Sequence, residues 1–394
     1  MRHLLICAAF LFSFITPARG ADWLGTDHRI DFSADALWVM PTNTVLRGEN
    51  PQHRRVTAST PVNLQFSARC LPDTRYGRWY PEARQGVGIG IQPVLPTSVL
   101  GCPVLLYVRQ SAPFAKLSER LSVEYEWNFG AALGWKSKNH SDADYDRKLD
   151  CIGSPFTAYI NLGIYARYRL NGRTSIFGGL DLRHYSNGNT ADPNPGINMT
   201  GLRLGASWLI GEPVKIPTHD WSDFEPGFVV DAVAYGAWRR WAYHPDGDRN
   251  NQDNYVMLPG HYGVAGIFVN PLYRFNPVFA VGGAIDANFD SGANLGNYRV
   301  PGSPEDKPRF YKVPFSHRYM VGISARGEMR MALFAINVGV GHSIVAPGGS
   351  DLRGWYNTFA LKTFFTDHFF LHIGYRLVHF THQGNLMLGA GVRL

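Results

Sequence analysis

Cysteine is scarce in this sequence and does not define its fold. There are 4 cysteines in 394 residues, and Cys7 lies within an N-terminal apolar run. The others, Cys70, Cys102 and Cys151, are odd in number and lack metal-ligand spacing, which argues against a zinc module or a disulfide framework. One disulfide remains open as an alternative if the chain resides in an oxidising compartment.

Long apolar runs are also missing beyond the first residues. Residues 4–15 form an apolar run that is too short to span a bilayer as a helix, and no other stretch is long and apolar enough to do so. The mean hydropathy of −0.16 also argues against a helical membrane protein. Because Arg2 precedes the apolar run and small residues at 18 and 20 follow it, we predict a signal peptide over residues 1–20, cleaved before Ala21.

Glycine and aromatic residues are abundant instead. The chain has 42 glycines and 13% aromatic residues, a mixture typical of membrane strands with aromatic girdles and tight turns. Residues 121–135 alternate apolar and polar side chains with a period of two, and residues 156–170 repeat the pattern. These runs are longer than ordinary globular strands and match tilted transmembrane strands.

The same alternation continues through residues 176–186 and 198–210, and again from residue 227 to the C-terminus. We predict an all-β fold, an antiparallel transmembrane outer-membrane β-barrel of about 12–16 strands. A single barrel is the preferred arrangement. The alternative is an eight-stranded barrel in residues 21–210 followed by a second β-domain in residues 221–394. Strand length and the signal peptide argue against a soluble β-sandwich.

The residues that best fit chemistry are His184 and Ser186. Being two apart on a strand, they share a face that is otherwise apolar and should contact lipid, where polar groups are costly. A serine beside an imidazole is a minimal activated nucleophile. Asn198 falls on the same face of the next strand and is placed to orient the imidazole. The competing interpretation, that both residues simply end a strand at the interface, is favoured by spacing alone.

The longer motif strengthens the catalytic interpretation. His184-Tyr185-Ser186-Asn187, followed by Pro193-Asn194 and Gly196, resembles the signature of the lipid A 3-O-deacylase (PagL-like) family, which includes acyloxyacyl hydrolases. The resemblance extends over residues from about 30 to 210. It implies an outer-membrane barrel with a lipid-facing site that hydrolyses an acyl ester of lipid A.

The resemblance also implies roles for individual residues. Ser186 matches the nucleophile and His184 the general base, while Asn187, Asn194 and the backbone N–H of Gly188 match the oxyanion hole. The best-known members of the family carry Glu where this chain has Asn198. Either Asn198 orients His184 without a carboxylate, or an acid such as Asp192 does so.

These features together predict a serine esterase of the Gram-negative outer membrane that acts on lipid A in lipopolysaccharide. We expect no metal, no cofactor and no nucleic-acid partner. The sequence does not indicate whether the protein is a monomer or an oligomer. The alternative is a non-catalytic porin-like or structural barrel. An acyltransferase would additionally need an acceptor other than water.

Overall fold

The computed structural model describes residues 26–137, 151–191, 194–211, 216–244, 256–304, 307–349, 351–380 and 382–394. The predicted signal peptide lies outside these residues. The described α-helices are short: α1 (Thr44–Arg47), α2 (Arg75–Trp79) and α3 (Thr97–Leu100). In this part of the chain, no helix combines the length and apolar character needed to cross a membrane. Cys102 is an exposed thiol.

The first ten strands form one closed antiparallel barrel with two short additions. The strands are β1 (Thr26–Val39), β2 (Ala58–Ser59), β3 (Val62–Arg69), β4 (Arg84–Ile91), β5 (Val94–Leu95), β6 (Gly101–Lys116), β7 (Leu121–Trp135), β8 (Phe156–Arg169), β9 (Thr174–Ser186) and β10 (Ile197–Leu209). The eight long strands follow the order β1-β3-β4-β6-β7-β8-β9-β10, and β10 pairs back onto β1 from Arg29↔Leu209 to Val39↔Met199.

The remaining strands form a second closed barrel. They are β11 (Gly227–Arg239), β12 (Ala242–Tyr243), β13 (Val256–Met257), β14 (Tyr262–Arg274), β15 (Phe279–Asp290), β16 (Tyr319–Met331), β17 (Phe334–Val345), β18 (Trp355–Phe364), β19 (Phe369–Val378) and β20 (His382–Arg393). Strands β12 and β13 pair only with each other, and the other eight close through β11 and β20.

The fold class predicted from the sequence is confirmed, and the eight strands of each barrel bring the total to the upper end of the expected range. The preference for one barrel is wrong, however, and the two-unit alternative is the arrangement found. The physical reason is that a period of two assigns side chains to faces but does not identify the pairing partner of an edge strand. Strand β10 returns to β1 rather than continuing to β11.

Polar and apolar side chains are distributed as in a membrane barrel. In the first barrel Arg109, Arg183 and Arg203 are fully buried inside and pair with interior carboxylates. In the second, Lys362 is buried inside between Asp231 and Glu328. The outer faces carry many exposed large apolar side chains, including Phe32, Leu64, Leu162, Ile164, Leu204, Ile267, Ile285, Ile323 and Phe359. Apolar outside and polar inside is the pattern required by lipid.

The two barrels pack side by side through part of their outer faces. Trp127, which alternation assigns to the outer face of β7, is only 5% exposed because it packs against the second barrel. Its ring meets that of Phe334 edge-on with centroids 5.1 Å apart. Beyond one end of this contact, the Tyr80 hydroxyl donates to the carbonyl of Pro277. The barrels therefore shield part of each other's surface from lipid.

Candidate active site

Strands β9 and β10 bring His184 and Asn198 directly opposite each other. The two residues are paired in the antiparallel register, and His184 Nδ1 lies 2.8 Å from Asn198 Oδ1. The same face of β9 carries Leu180, which is 63% exposed. In the tautomer with a proton on Nδ1, His184 donates to Asn198 and Nε2 is left as an acceptor. Strand pairing thus fixes an imidazole on the outer face of the first barrel.

Two N–H groups converge on the Ser186 hydroxyl just beyond His184. The backbone N–H of Gly188 donates to Ser186 Oγ at 3.0 Å, and Asn194 Nδ2 donates to it at 3.1 Å. Asn194 Oδ1 in turn accepts the backbone N–H of Asn187 at 2.9 Å, and it lies 3.3 Å from Ser186 Oγ as an acceptor for the hydroxyl. One asparagine side chain therefore joins the serine to the turn that follows it.

The turn itself is held by Asn187, whose side chain is buried. Its Nδ2 donates to the carbonyl of Ala191 at 2.9 Å, and its own carbonyl accepts from Thr190 Oγ1 at 2.8 Å. Gly188 and Asn189 follow with φ of 64° and 67°, in the left-handed region. Gly accepts this conformation without steric cost, and Asn tolerates it better than most residues. The side-chain amide of Asn187 is thus engaged within the loop, whereas Gly188 and Asn194 donate to the serine.

Gly196 makes room for the imidazole ring. It has φ of 75°, and a Cβ atom at this position would lie 3.1 Å from His184 Cε1. The neighbouring backbone is fixed as well, because the N–H of Met40 donates to the carbonyl of Asn198 at 2.9 Å. The small residue in the motif is therefore explained by the close approach of the ring.

Aromatic side chains inside the barrel support the strand that carries the site. The ring of Tyr185 stacks on that of Tyr159 at 5.4 Å and meets that of Trp135 edge-on at 5.2 Å. The Tyr185 hydroxyl donates to Gln92 Oε1 at 2.9 Å. Alternation places Tyr185 inward, but it gives no means of predicting these partners. They rigidify β9 between His184 and Ser186 from the opposite face.

Not every predicted residue joins the site directly. Among the described residues, no hydrogen bond connects His184 to Ser186, although both lie on the same outer face. Asp192, the alternative acid, lies outside the described residues. Asp181 points inward, as alternation predicts, and is bound to Arg183 and Arg203. Among the described residues, no group of three His, Cys, Asp or Glu side chains is arranged to hold a metal ion.

Two family models match separate parts of the chain. The model described as lipid A 3-O-deacylase (PagL) matches residues 108–207, and that described as acyloxyacyl hydrolase, C-terminal domain, matches residues 230–394. Together they extend over more than half of the chain. The first includes His184, Ser186 and Asn198, and the second includes nearly all of the second barrel. No curated protein matches the chain in sequence.

Solved structures show only distant likeness. The FrpB iron transporter from Neisseria meningitidis is 13% identical over 93% of this chain and 61% of its own length, with a TM-score of 0.23. The siderophore receptor PirA from Pseudomonas aeruginosa is 10% identical over 94% and 81%, with a TM-score of 0.23. A designed transmembrane β-barrel is 11% identical over 47% and 97%, with a TM-score of 0.22. This chain thus spans less than two thirds of the FrpB transporter.

Proposed function

We propose, for a chain that belongs to the PagL family of lipid A 3-O-deacylases and acyloxyacyl hydrolases, that acyl-ester hydrolysis takes place at Ser186 with His184 as general base. The family supports removal of an acyl chain from lipid A, and the barrel fold fits the outer membrane. The finer assignment of nucleophile and base is supported by one observation. Two N–H donors converge on a serine hydroxyl beside a histidine whose Nδ1 is held by Asn198.

The proposed first step is attack on the ester. His184 Nε2 takes the proton of the Ser186 hydroxyl as Oγ bonds to the ester carbonyl carbon. Because serine and histidine are not yet hydrogen-bonded in the resting site, the hydroxyl must turn from Asn194 Oδ1 towards the imidazole when substrate binds. Such tightening on substrate binding is common in hydrolases.

The negative charge on the carbonyl oxygen then needs donors already in place. Gly188 N–H and Asn194 Nδ2 lie within hydrogen-bond reach of Ser186 Oγ, so both are close to the oxygen of a carbonyl bonded to it. We assign them as the oxyanion donors. Asn187, whose amide binds within the loop, is assigned the role of holding the turn.

Collapse of the tetrahedral intermediate breaks the bond between the acyl carbon and the glucosamine oxygen. The imidazolium of His184 returns its proton to that oxygen, and the acyl chain stays on Ser186. Water, deprotonated by His184, then releases the acyl chain as a fatty acid and restores the hydroxyl. Lipid A reaches the site laterally, since His184 lies on the outer face with exposed Leu180 and Leu204. We propose that residues 1–20 are removed before the barrels insert.

The proposal is tested with purified protein in lipid A-containing detergent micelles. Wild type should release free fatty acid, and Ser186→Ala should slow the release by about 10⁴-fold or more, as for other serine hydrolases that lose their nucleophile. Ser175→Ala is the matched control, because it removes a hydroxyl from the other end of the same strand. Release by Ser186→Ala at the rate of Ser175→Ala would contradict the assignment.

The porin-like alternative is disfavoured by the interiors of the barrels. Arg109, Arg183, Arg203 and Tyr159 are all fully buried within the first barrel, and eight-stranded barrels have room only for their own side chains. The interior of the second is occupied likewise by Lys362, Phe268 and Phe370. The buried side chains of the described residues therefore support the esterase proposal over a pore.

A further inference from the structure

In the second barrel, the pairing of β11 with β20 ends before the two strands do, on the side that faces Ser186. Strands β11 and β20 pair only from Asp231↔Arg393 to Gly236↔Leu388, although β11 continues to Arg239 and β20 begins at His382. Beyond Gly236 and Leu388, the register shows no further pairing between these two strands in the part of the chain that the structure describes. Backbone groups just beyond this point need other partners.

The turn after Ser186 supplies one of these partners. The backbone N–H of Arg240, directly after β11, donates to the carbonyl of Asn189 at 2.9 Å. From β20, Leu386 packs against Gly188 so closely that a Cβ atom on Gly188 would lie 2.5 Å from Leu386 Cγ. The turn after Ser186 in the first barrel therefore contacts the second barrel where the pairing of β11 with β20 ends.

The contacts of Leu386 and Arg240 bear on the backbone N–H of Gly188, which is a proposed oxyanion donor. Gly188 lies between Ser186, to which its N–H donates at 3.0 Å, and the side chain of Leu386. Gly188 and Asn189 both adopt left-handed backbone conformations, so the direction of the Gly188 N–H depends on the local path of this turn. Within the first barrel the turn is fixed from the other side by Asn194, which accepts from Asn187 N–H.

We propose that the second barrel completes the active site of the first. Leu386 and the backbone N–H of Arg240 are positioning groups that hold the Gly188 N–H towards Ser186 and towards the oxyanion. The inference rests on the proposed function and deepens it, because it gives the second barrel a role in catalysis. Neither group touches the ester; both act through the Gly188 turn.

The first test compares Leu386→Ala with Leu388→Ala in the full-length protein. Both residues are leucines on the outer side of β20, but Leu388 lies one alternation further from the turn. Leu386→Ala should lower kcat by about tenfold with KM changed less than twofold, since a misaligned donor weakens oxyanion stabilisation more than substrate binding. Leu386→Met, which preserves side-chain volume, should restore kcat.

The second test is a double-substitution cycle. Gly188→Ala should be strongly impaired, because its Cβ would collide with Leu386. In the Gly188→Ala, Leu386→Ala double variant that space is empty, so kcat should be no lower than in Gly188→Ala alone. Multiplying losses, as expected for independent residues, would contradict a direct coupling between them.

Hydrogen exchange provides a readout that does not depend on turnover. Exchange of residues 186–191 should accelerate in Leu386→Ala and stay at the wild-type rate in Leu388→Ala. Equal kcat and equal exchange in the two variants, with Ser186→Ala still inactive, would overturn the positioning role and leave the proposed function intact. Full activity of Ser186→Ala would overturn the proposed function and the positioning role with it.

Discussion

At the scale of single residues, Asn198 is the most consequential departure from a carboxylate-assisted site. Its Oδ1 lies 2.8 Å from His184 Nδ1, so it orients the ring as a carboxylate would. It is neutral, however, and supplies no charge to stabilise the imidazolium of the proposed mechanism. The site as built therefore relies on orientation and on the donors around Ser186.

The neutrality of Asn198 predicts a gain in rate from a carboxylate at this position. Asn198→Asp would pair the imidazolium of the proposed mechanism with a negative charge, so kcat should rise severalfold. Asn198→Ala, the control, removes the hydrogen bond to His184 and should lower kcat/KM. Steady-state kinetics on micellar lipid A measure both, and equal kcat for Asn198→Asp and wild type would contradict the assigned contact.

Part of this site follows from the sequence and part does not. The period of two places His184, Ser186 and Asn198 on one face, and the register of β9 with β10 pairs two of them directly. The period of two predicts neither the hydrogen bond from Asn194 to Ser186 nor the contact of Leu386 with Gly188. Loop geometry and contacts between barrels depend on pairings that are distant in sequence.

At the scale of elements, the connections depart from expectation more than the strands do. An Asn-Gly pair is typical of two-residue hairpins, yet around Asn171-Gly172 strand β8 ends at Arg169 and β9 begins at Thr174. Asn171 Oδ1 accepts the backbone N–H groups of Arg173 and Thr174, each at 2.8 Å. A side chain that bonds its own backbone thus favours a longer turn over the tight one.

The turn between β18 and β19 makes a charged contact with the first barrel. Asp367, in the turn between β18 and β19, accepts hydrogen bonds from Arg75 and Tyr76 of α2. Burial raises the pKa of Asp367, but the hydrogen bonds from Tyr76 and Arg75 and the charge of Arg75 outweigh it and hold the pKa below its usual value. Its stabilising contribution is therefore present at neutral pH and is lost as the pH falls through that lowered pKa.

Asp367→Asn should accordingly destabilise the protein at pH 7, with progressively less effect as the pH falls through the lowered pKa of Asp367. Since the Asp367 side chain is 49% exposed, the expected loss is at most about 1 kcal/mol. Thermal unfolding in detergent at several pH values measures it, with exposed Asp73→Asn as the control. A loss that persists undiminished below that pKa would show that the ionised carboxylate is not its source.

At the scale of the whole molecule, two filled barrels pack against each other through part of their outer faces. The sequence predicts the class of fold and the faces of its strands, but not where the first sheet closes, because β10 has no sequence feature that marks β1 as its partner. The contact between the barrels is equally absent from the sequence pattern, since Trp127 and Phe334 follow the same alternation as lipid-facing residues. Only pairing and packing between distant segments distinguish them.

Filled interiors predict that the protein does not conduct ions. In planar bilayers, purified wild-type protein should give no stable unitary current steps, because Arg109, Arg183 and Lys362 occupy the lumens with their carboxylate partners. A known porin in the same bilayer serves as the positive control for the detection of current steps. Regular channel openings by the protein itself would favour the porin-like alternative.

We propose that Ser186 carries the hydrolysis of an acyl ester of lipid A. Mass spectrometry of lipid A measures this reaction in Gram-negative cells that express wild type, Ser186→Ala or Ser175→Ala, with each barrel verified as folded in the outer membrane. Wild type and Ser175→Ala should lower the lipid A mass by one acyl chain, and Ser186→Ala should leave it unchanged. The same mass loss with Ser186→Ala would contradict the assignment.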